Sequence, residues 1–173
     1  DTRALSRCLA VMGARMDDVP EGLRVVGPLG LAPSAPIAVL DARDSGTAAR
    51  FLTAIASATP GEFRVTGSPR LRQRPMGELV AALRAAAADI EEEGSPGCLP
   101  LRIRGRVLSD GPVSVDAARS SQFLSALMLL PAAGSALEVA AAGTIVSRPY
   151  ADLTVESLKA FGHSVEGDGP WRI

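Results

Sequence analysis

The feature that most constrains the fold is an internal sequence repeat. The order strand–helix–strand–helix–strand occurs twice. Two polar helix starts, Ser45 and Ser120, lie 75 residues apart, and two later helix positions, Val80 and Leu153, lie 73 apart. One more step of this length back from Val80 reaches Arg7, inside an opening segment with a helical pattern. Such repeats are supersecondary units that bury their apolar faces against each other. The sequence therefore predicts an α/β (α+β) fold built of pseudo-symmetric repeats.

Apolar patterning and turn residues place the elements of each repeat. Strands are predicted at residues 37–41, 63–66, 99–104, 113–115, 137–140, 163–166 and 171–173. Helices are predicted at residues 2–12, 45–57, 76–90, 120–130 and 150–161, and Gly162 is expected to end the last one. The acidic run at 91–93 is expected to be a solvated helix end. One core between repeats is expected from the apolar faces of two helices, carried by Phe51, Leu52, Ile55, Leu124, Leu127 and Met128.

The repeats predict a single domain over residues 1–173. It would contain a partial repeat at 1–30, a second repeat at 31–107 and a third at 108–173. Glycine and proline predict a turn at residues 27–30. The partial repeat lacks an opening strand and a first helix, so we expect further residues before Asp1 and a partner domain.

Composition argues against several classes of protein. Hydrophobic residues make up 47% and charged residues 21% of the chain, the balance of a folded globular protein. The net charge of −1 argues against nucleic-acid binding, because phosphate contacts need a basic surface. No apolar run reaches the roughly 18 residues of a membrane-spanning helix, and no secretion signal is visible. We therefore expect a cytoplasmic protein that binds neither nucleic acid nor membrane.

Cysteine and histidine add no metal or nucleophilic site. Cys8 and Cys98 are far apart, so neither zinc-site spacing nor a disulfide framework is present. His163 is the only histidine, and it follows a helix stop rather than standing in a recognisable catalytic arrangement. No metal and no cofactor are expected.

Polar groups that could carry chemistry stand at four helix starts. The helix that begins at Ser45 has Gly46 in its first turn, and the one that begins at Ser120 continues with Ser121 and Gln122. Free backbone N–H groups at such positions bind anions, and glycine allows close approach of the ligand. Either segment alone also fits a simple capped helix.

The other two helix starts carry an Arg-Pro pair. Residues 70–75 place three guanidinium groups beside one helix, and residues 147–150, Ser-Arg-Pro-Tyr, stand in the same relation to the last helix. Guanidinium groups bind phosphate and carboxylate through paired hydrogen bonds. The first cluster alone also fits a solvated surface. Pseudo-symmetry would bring all four helix starts together, which capping alone does not require.

Taken in order, these segments resemble the enolpyruvyl transferases. The residues that carry the resemblance are SGTAAR at 45–50, GSPRLRQRP at 67–75, SSQFLSAL at 120–127 and SRPY at 147–150. The resemblance extends along nearly the whole chain, and it is stronger to the branch that acts on shikimate 3-phosphate. The branch that acts on a UDP-aminosugar usually has a cysteine-bearing loop where this chain has residues 70–73.

The resemblance implies one of two similar domains, each a pseudo-threefold array of βαβαββ units. It implies transfer of the enolpyruvyl group of phosphoenolpyruvate to the 5-hydroxyl of shikimate 3-phosphate, with release of phosphate. Arg74 and the backbone of Gly46 would contact phosphoenolpyruvate. Contacts to shikimate 3-phosphate would come from Ser120, Ser121, Gln122, Ser147 and Tyr150. The family's proton-transfer residues lie in the other domain, so the resemblance assigns no catalytic residue here and implies that this chain alone is inactive.

One short segment departs from the family pattern. The family often has Asn-Ala-Gly where this chain has Asp44, Ser45 and Gly46. A carboxylate beside an anion site would repel the ligand. We therefore expect Asp44 to pair with Arg43 or Arg50.

The sequence leaves three alternatives. A non-catalytic binding module of the same fold would have lost the phosphate contacts, whereas Arg74 and residues 120–122 are in place. An RNA-binding or RNA-processing domain, in which related units occur, would need a basic groove with stacking aromatic residues. An enolpyruvyl transferase acting on UDP-N-acetylglucosamine is the third.

Overall fold

The computed structural model describes residues 1–26 and 36–173. The helices are α1 (Thr2–Val11), α2 (Gly46–Ala58), α3 (Gly77–Ala85), α4 (Ser121–Ala132) and α5 (Arg148–Ala160). The strands are β1 (Arg15–Val19), β2 (Gly22–Val26), β3 (Ala38–Asp41), β4 (Gly61–Thr66), β5 (Asp89–Glu92), β6 (Leu101–Gly105), β7 (Gly111–Asp116), β8 (Leu137–Ala142) and β9 (Trp171–Arg172). The predicted turn at 27–30 and the predicted boundary after residue 30 lie outside the described residues.

The middle unit shows the complete βαβαββ order, β3-α2-β4-α3-β5-β6. Its four strands form one sheet in the order β3-β4-β6-β5, with β3 and β4 parallel and the other neighbours antiparallel. Helix α2 connects the parallel pair, because parallel strands need a long crossover. Alternate residues of the central strands, such as Phe63, Val65 and Ile103, are buried and form the sheet's side of the core.

The third unit follows the same plan with a shorter end. Strands β7 and β8 are parallel with α4 between them, and β9 pairs antiparallel with β8. The prediction of a strand at 163–166 is wrong, because only Glu166 of these residues forms a β-bridge, with Arg172. Gly167 and Gly169 have positive φ and turn the chain tightly at this point, so only a short antiparallel end forms.

The first unit consists of α1 followed by an antiparallel hairpin of β1 and β2. The order helix–strand–strand matches the end of the middle unit, α3-β5-β6. The hairpin is missing from the sequence-based prediction. Its residues are mostly exposed and lack the alternation of buried apolar side chains that indicates a strand.

Helix α3 is shorter than predicted. It ends at Ala85, and the predicted continuation to residue 90 leads instead into strand β5. Ala87 adopts φ +66°, which ends the helix, and Ile90 is buried in the sheet. The acidic run at 91–93 is therefore not a helix end. Arginines of β6 lie opposite acidic residues of β5, and such opposite charges stabilise neighbouring strands.

The predicted core between repeats is confirmed where α2 packs on α4. Leu52 of α2 and Leu124, Leu127 and Met128 of α4 have no exposed surface. The other two predicted core residues, Phe51 and Ile55 of α2, are half-buried. They line an apolar groove of about 470 Å³ between α2, α4 and α5. The first helices of two repeats therefore share one core, as the repeat spacing predicts.

The two cysteines differ in environment, which predicts different reactivity. Cys8 is 2% exposed, and burial followed by the nearby Asp41 carboxylate raises its pKa from 9.0 to about 11, whereas Cys98 is only half-buried. The thiolate is the nucleophile that attacks thiol reagents such as disulfides. At pH 8 we therefore expect one thiol to react quickly with Ellman's reagent and the second only after denaturation. Cys98→Ser should abolish the quick phase, and a quick phase that survives this change would contradict the assignment.

Candidate substrate-binding site

Two helices in equivalent positions of their repeats begin with a serine cap. Ser45 Oγ accepts a hydrogen bond from Ala48 N at 3.1 Å, and Ser120 Oγ accepts one from Gln122 N at 3.3 Å. Helix α2 follows the parallel strand β3 and α4 follows β7, so both starts lie at the carboxyl ends of parallel strands. This end of a parallel sheet is where α/β proteins bind ligands. Free N–H groups and the helix dipole give both helix starts partial positive charge.

Arg74 lies directly against the start of α2. A Cβ atom on Gly46 would come within 2.2 Å of Arg74 Nη1 and 2.8 Å of its Cζ. Glycine at this position therefore allows the guanidinium to rest on the first turn of α2. The structure thus brings together Gly46 and Arg74, which the family resemblance places in one site.

The loop that carries Arg74 is joined to the loop before α2 by hydrogen bonds. Ser68 N donates to Arg43 O at 2.8 Å, and Ser68 Oγ accepts from Leu71 N at 3.2 Å. Gly67 permits this approach, since a Cβ atom there would lie 2.7 Å from Arg43 O. The loop that carries the arginine cluster is therefore ordered against the loop before α2, although Arg70, Arg72 and Arg74 are themselves exposed.

A polar cavity of about 480 Å³ opens at this point, lined by Asp44, Arg70, Leu71 and Arg74. Neither Arg70 nor Arg74 forms an ion pair with any carboxylate of residues 1–26 or 36–173. Two guanidinium groups without acidic partners, next to a helix start, favour an oxyanion such as phosphate or carboxylate.

A third arginine, Arg50, also reaches Gly46 and is only 2% exposed. Its Nη1 donates to Gly46 O at 2.9 Å and its Nη2 donates to Pro75 O at 3.1 Å, so it joins the start of α2 to the start of α3. Its guanidinium carbon lies 5.1 Å from the ring centroid of Phe123, within cation–π distance. Its Nε is buried and has no hydrogen-bond partner among the described residues.

The charge on Arg50 is poorly compensated. Burial, followed by the neighbouring Arg74 guanidinium, lowers the pKa of Arg50 from its ordinary value to about 10. In the part of the chain that the structure describes, no carboxylate forms an ion pair with Arg50. Two cations thus share one helix start without a neutralising partner, and a bound anion would relieve their repulsion.

Gln122 connects the starts of α4 and α2. Its Nε2 donates to Thr47 Oγ1 at 3.1 Å, while its buried Oε1 has no partner within the described residues. Just before α4, Arg119 pairs with Glu78 in the first turn of α3 at 3.3 Å. The starts of α2, α3 and α4, three of the four that pseudo-symmetry is expected to bring together, are thereby connected across two repeats.

The remaining predicted residues are less directly connected to the cavity. Ser121 is buried in the first turn of α4, and Tyr150 is half-buried and lines the apolar groove beside Phe51. Ser147 is exposed at the start of α5 and adopts the left-handed region with φ +55°, without a side-chain capping bond. A non-glycine residue in this region is strained, and such strain clusters at ligand sites. Within the described residues, Ser147 makes no side-chain hydrogen bond and does not line the cavity.

The prediction that Asp44 pairs with an arginine is wrong, because no arginine of the described residues forms an ion pair with it. Asp44 Oδ1 instead accepts a hydrogen bond from Ser68 Oγ. Arg43 is turned toward Asp41, with Nε and Oδ2 3.3 Å apart, and Arg50 is engaged by two backbone carbonyls. Both candidate partners are therefore occupied elsewhere, and Asp44 remains in the wall of the cavity.

Two contacts at the site are missing from the sequence-based prediction. Arg50 is the only charged residue of α2, and its position four residues after Gly46 places both on one helix face, so a signal was available. Thr47, the partner of Gln122, gave no signal, because a threonine in a first helical turn is ordinary.

Within residues 1–26 and 36–173, no cluster of three or more His, Cys, Asp or Glu side chains is placed to hold a metal ion. In the same residues, no helix is long and apolar enough to cross a membrane.

The fold and the site together define a class of protein, the enolpyruvyl-transferase type of domain. Its marks here are one complete βαβαββ unit with two shorter units on the same plan, and an arginine-lined polar cavity beside the start of α2. The family model for EPSP synthase (3-phosphoshikimate 1-carboxyvinyltransferase) matches residues 1–173, and the chain belongs to this family.

Relatives and a solved structure are consistent with this assignment. A 3-phosphoshikimate 1-carboxyvinyltransferase of Methanospirillum hungatei is 39% identical over 170 residues, which cover 98% of this chain and 39% of the relative. One from Pseudomonas syringae pv. tomato is 39% identical over 178 residues, covering 100% of this chain and 42% of the relative. EPSP synthase from Acinetobacter baumannii shares the fold with a TM-score of 0.76 and 26% identity, over 98% of this chain and 37% of that one. The chain thus spans about two fifths of the length of these relatives.

Proposed function

We propose that this chain supplies one substrate-binding domain of an enzyme of aromatic amino-acid biosynthesis. The enzyme transfers the enolpyruvyl group of phosphoenolpyruvate to the 5-hydroxyl of shikimate 3-phosphate and releases phosphate. The observation that carries the proposal is the contact of Arg74 with the start of α2 at Gly46, beside an arginine-lined cavity. Membership of the EPSP synthase family supports the choice of reaction.

Arg74 and the backbone of Gly46 are proposed to bind phosphoenolpyruvate. This substrate carries a phosphate and a carboxylate, and both are groups that guanidinium and helix N–H donors bind well. Arg70 lines the same cavity and adds a second guanidinium. Donors fixed in place before the reaction stabilise developing charge without reorganisation, which suits a reaction that expels phosphate.

The start of α4 is proposed to bind shikimate 3-phosphate. The proposed contacts are Ser120, Ser121, Gln122, Ser147 and Tyr150. Support comes from the buried, unpartnered Oε1 of Gln122, because a substrate hydroxyl would satisfy it. The proton-transfer groups are assigned to a second domain of the same enzyme, the proposed partner of this one. A cytoplasmic location and the absence of nucleic-acid binding remain predictions.

The proposal is tested by following phosphate release from phosphoenolpyruvate with the complete gene product. Release is expected to require shikimate 3-phosphate and not to occur with UDP-N-acetylglucosamine. Arg74→Ala is expected to lower kcat/KM about 100-fold or more, as loss of one donor to a developing charge does in other enzymes.

Arg106→Ala is the matched control. Arg106 is exposed, and its backbone N donates to Ser57 O near the far end of α2. Loss of the positive charge of Arg106 is expected to leave kcat/KM within about twofold, because solvent and salt screen an exposed charge at the far end of α2 from the cavity. Failure to release phosphate with shikimate 3-phosphate would end the proposal, and release with the UDP-sugar alone would favour the sister reaction.

A further inference from the structure

We propose that Asp44 sets the charge selectivity of the arginine-lined cavity: it weakens the binding of doubly charged anions more than that of singly charged ones. The inference rests on the proposed function, because it concerns the same anion site. It assigns a specificity-determining role to one of the two residues, Asp44 and Ser45, at which this chain departs from the family pattern.

The position of Asp44 carries the inference. Within the described residues, it is the one acidic side chain in a cavity wall that also contains Arg70 and Arg74. Ser68 Oγ donates a hydrogen bond to Asp44 Oδ1, and the same Ser68 is tied to the arginine loop through Leu71 N. The carboxylate is therefore held in place beside the site rather than free to turn away.

The charge of Asp44 is not cancelled by a neighbour. In residues 1–26 and 36–173, no arginine forms an ion pair with it, and Arg43, the adjacent one, pairs with Asp41 instead. An anion bound by Arg74 thus interacts with a negative charge in the same cavity wall. Solvent screens such a charge without abolishing it.

Coulomb repulsion is proportional to the charge of the ligand. The free-energy penalty that Asp44 imposes on a dianion is therefore about twice that on a monoanion of the same shape. A phosphate ion released into this cavity is held less tightly than two unopposed arginines would hold it. In a ligand with one carboxylate and one phosphate, the same field favours the carboxylate near Asp44.

Asp44→Asn tests the effect of the charge alone, because it changes the side chain little in shape. The asparagine amide keeps an oxygen that can accept the Ser68 hydrogen bond, while the negative charge is lost. Asp110→Asn makes the same change in net charge. Asp110 is exposed and directly precedes β7, at the end of that strand opposite to the start of α4.

The experiment compares sulfate and perchlorate, two tetrahedral anions that differ in charge and carry no proton to share with Asp44. Affinities are measured by titration calorimetry at constant ionic strength, on the protein and on the variants Asp44→Asn, Asp110→Asn and Arg74→Ala. Asp44→Asn is expected to raise sulfate affinity about tenfold and perchlorate affinity about threefold. Asp110→Asn is expected to change neither, and Arg74→Ala is expected to lower the affinity for both.

Each other result overturns a defined part of the argument. Equal gains for both anions, no gain, or the same gain in Asp110→Asn would overturn the role of Asp44 while leaving an Arg74-dependent anion site intact. Absence of sulfate binding in every variant, Asp44→Asn included, would overturn the anion site and this inference with it. The proposed reaction is judged separately, by phosphate release in the presence of shikimate 3-phosphate.

Discussion

Gly105→Ala is expected to lower the free energy of unfolding by about 3 kcal/mol or more, measured by urea denaturation. Gly105 ends strand β6, and a Cβ atom there would lie 1.8 Å from Thr59 O and 2.4 Å from Ala56 O. Both oxygens belong to the backbone at the end of α2, so no side-chain rotation can make room. Either β6 or α2 must shift, and both contribute to the buried core of the middle unit.

Gly77→Ala is the matched control for this prediction. Gly77 begins α3, and a Cβ atom there would come no closer than 3.5 Å, to Gly97 Cα, an ordinary contact. Alanine is also the better helix former, so this variant is expected to be as stable as the parent or slightly more stable. Equal stability of the two alanine variants would show that α2 and β6 can separate at little cost.

Local chemistry explains which parts of the fold the sequence predicts. The spacing of the repeats places α2 and α4 in equivalent positions, and the serines before them are recognisable caps because each capping bond spans only two or three residues. The roles of Gly46 and Arg74 stay predictions, which the motifs around them make through their resemblance to the enolpyruvyl transferases. These features depend on neighbours in the chain, which a sequence displays directly.

Long-range pairing explains what the sequence does not predict. Strand β5 forms because Ile90 is buried and its neighbours pair with β6, whereas the residues themselves continue a helical pattern. Arg50 is buried because the carbonyl of Pro75, 25 residues away, accepts its hydrogen bond. The Asp44 pairing fails for the same reason, since Ser68, 24 residues away, provides the partner.

The site is divided between two repeats, so its geometry depends on their packing. Gln122 on α4 bonds to Thr47 on α2, although 75 residues separate them. The hydrogen bond forms only if the two helices keep their relative position. The core shared by α2 and α4, rather than any single loop, therefore sets the distance between the two proposed substrate sites, one at the start of each helix.

Leu127→Ala tests this core and is expected to cost about 2–5 kcal/mol of unfolding free energy. Leu127 lies on α4 with no exposed surface, at the helix that packs most extensively on α2. The truncation removes buried methyl groups and leaves a cavity that the surrounding helices can close only in part. Urea denaturation of the variant beside the parent measures the cost.

Leu153→Ala makes the same chemical change on α5, where the leucine is 58% exposed, and is expected to cost under about 0.5 kcal/mol. The pair separates burial from the mere loss of a leucine. Equal losses of unfolding free energy in the two variants would mean that the contact between α2 and α4 adds nothing to stability. A cost below about 0.5 kcal/mol for Leu127→Ala would show that Leu127 is not part of the core. The expected difference in unfolding free energy between Leu127→Ala and Leu153→Ala would show that the packing of α4, the helix that carries Gln122 against Thr47 of α2, stabilises the domain.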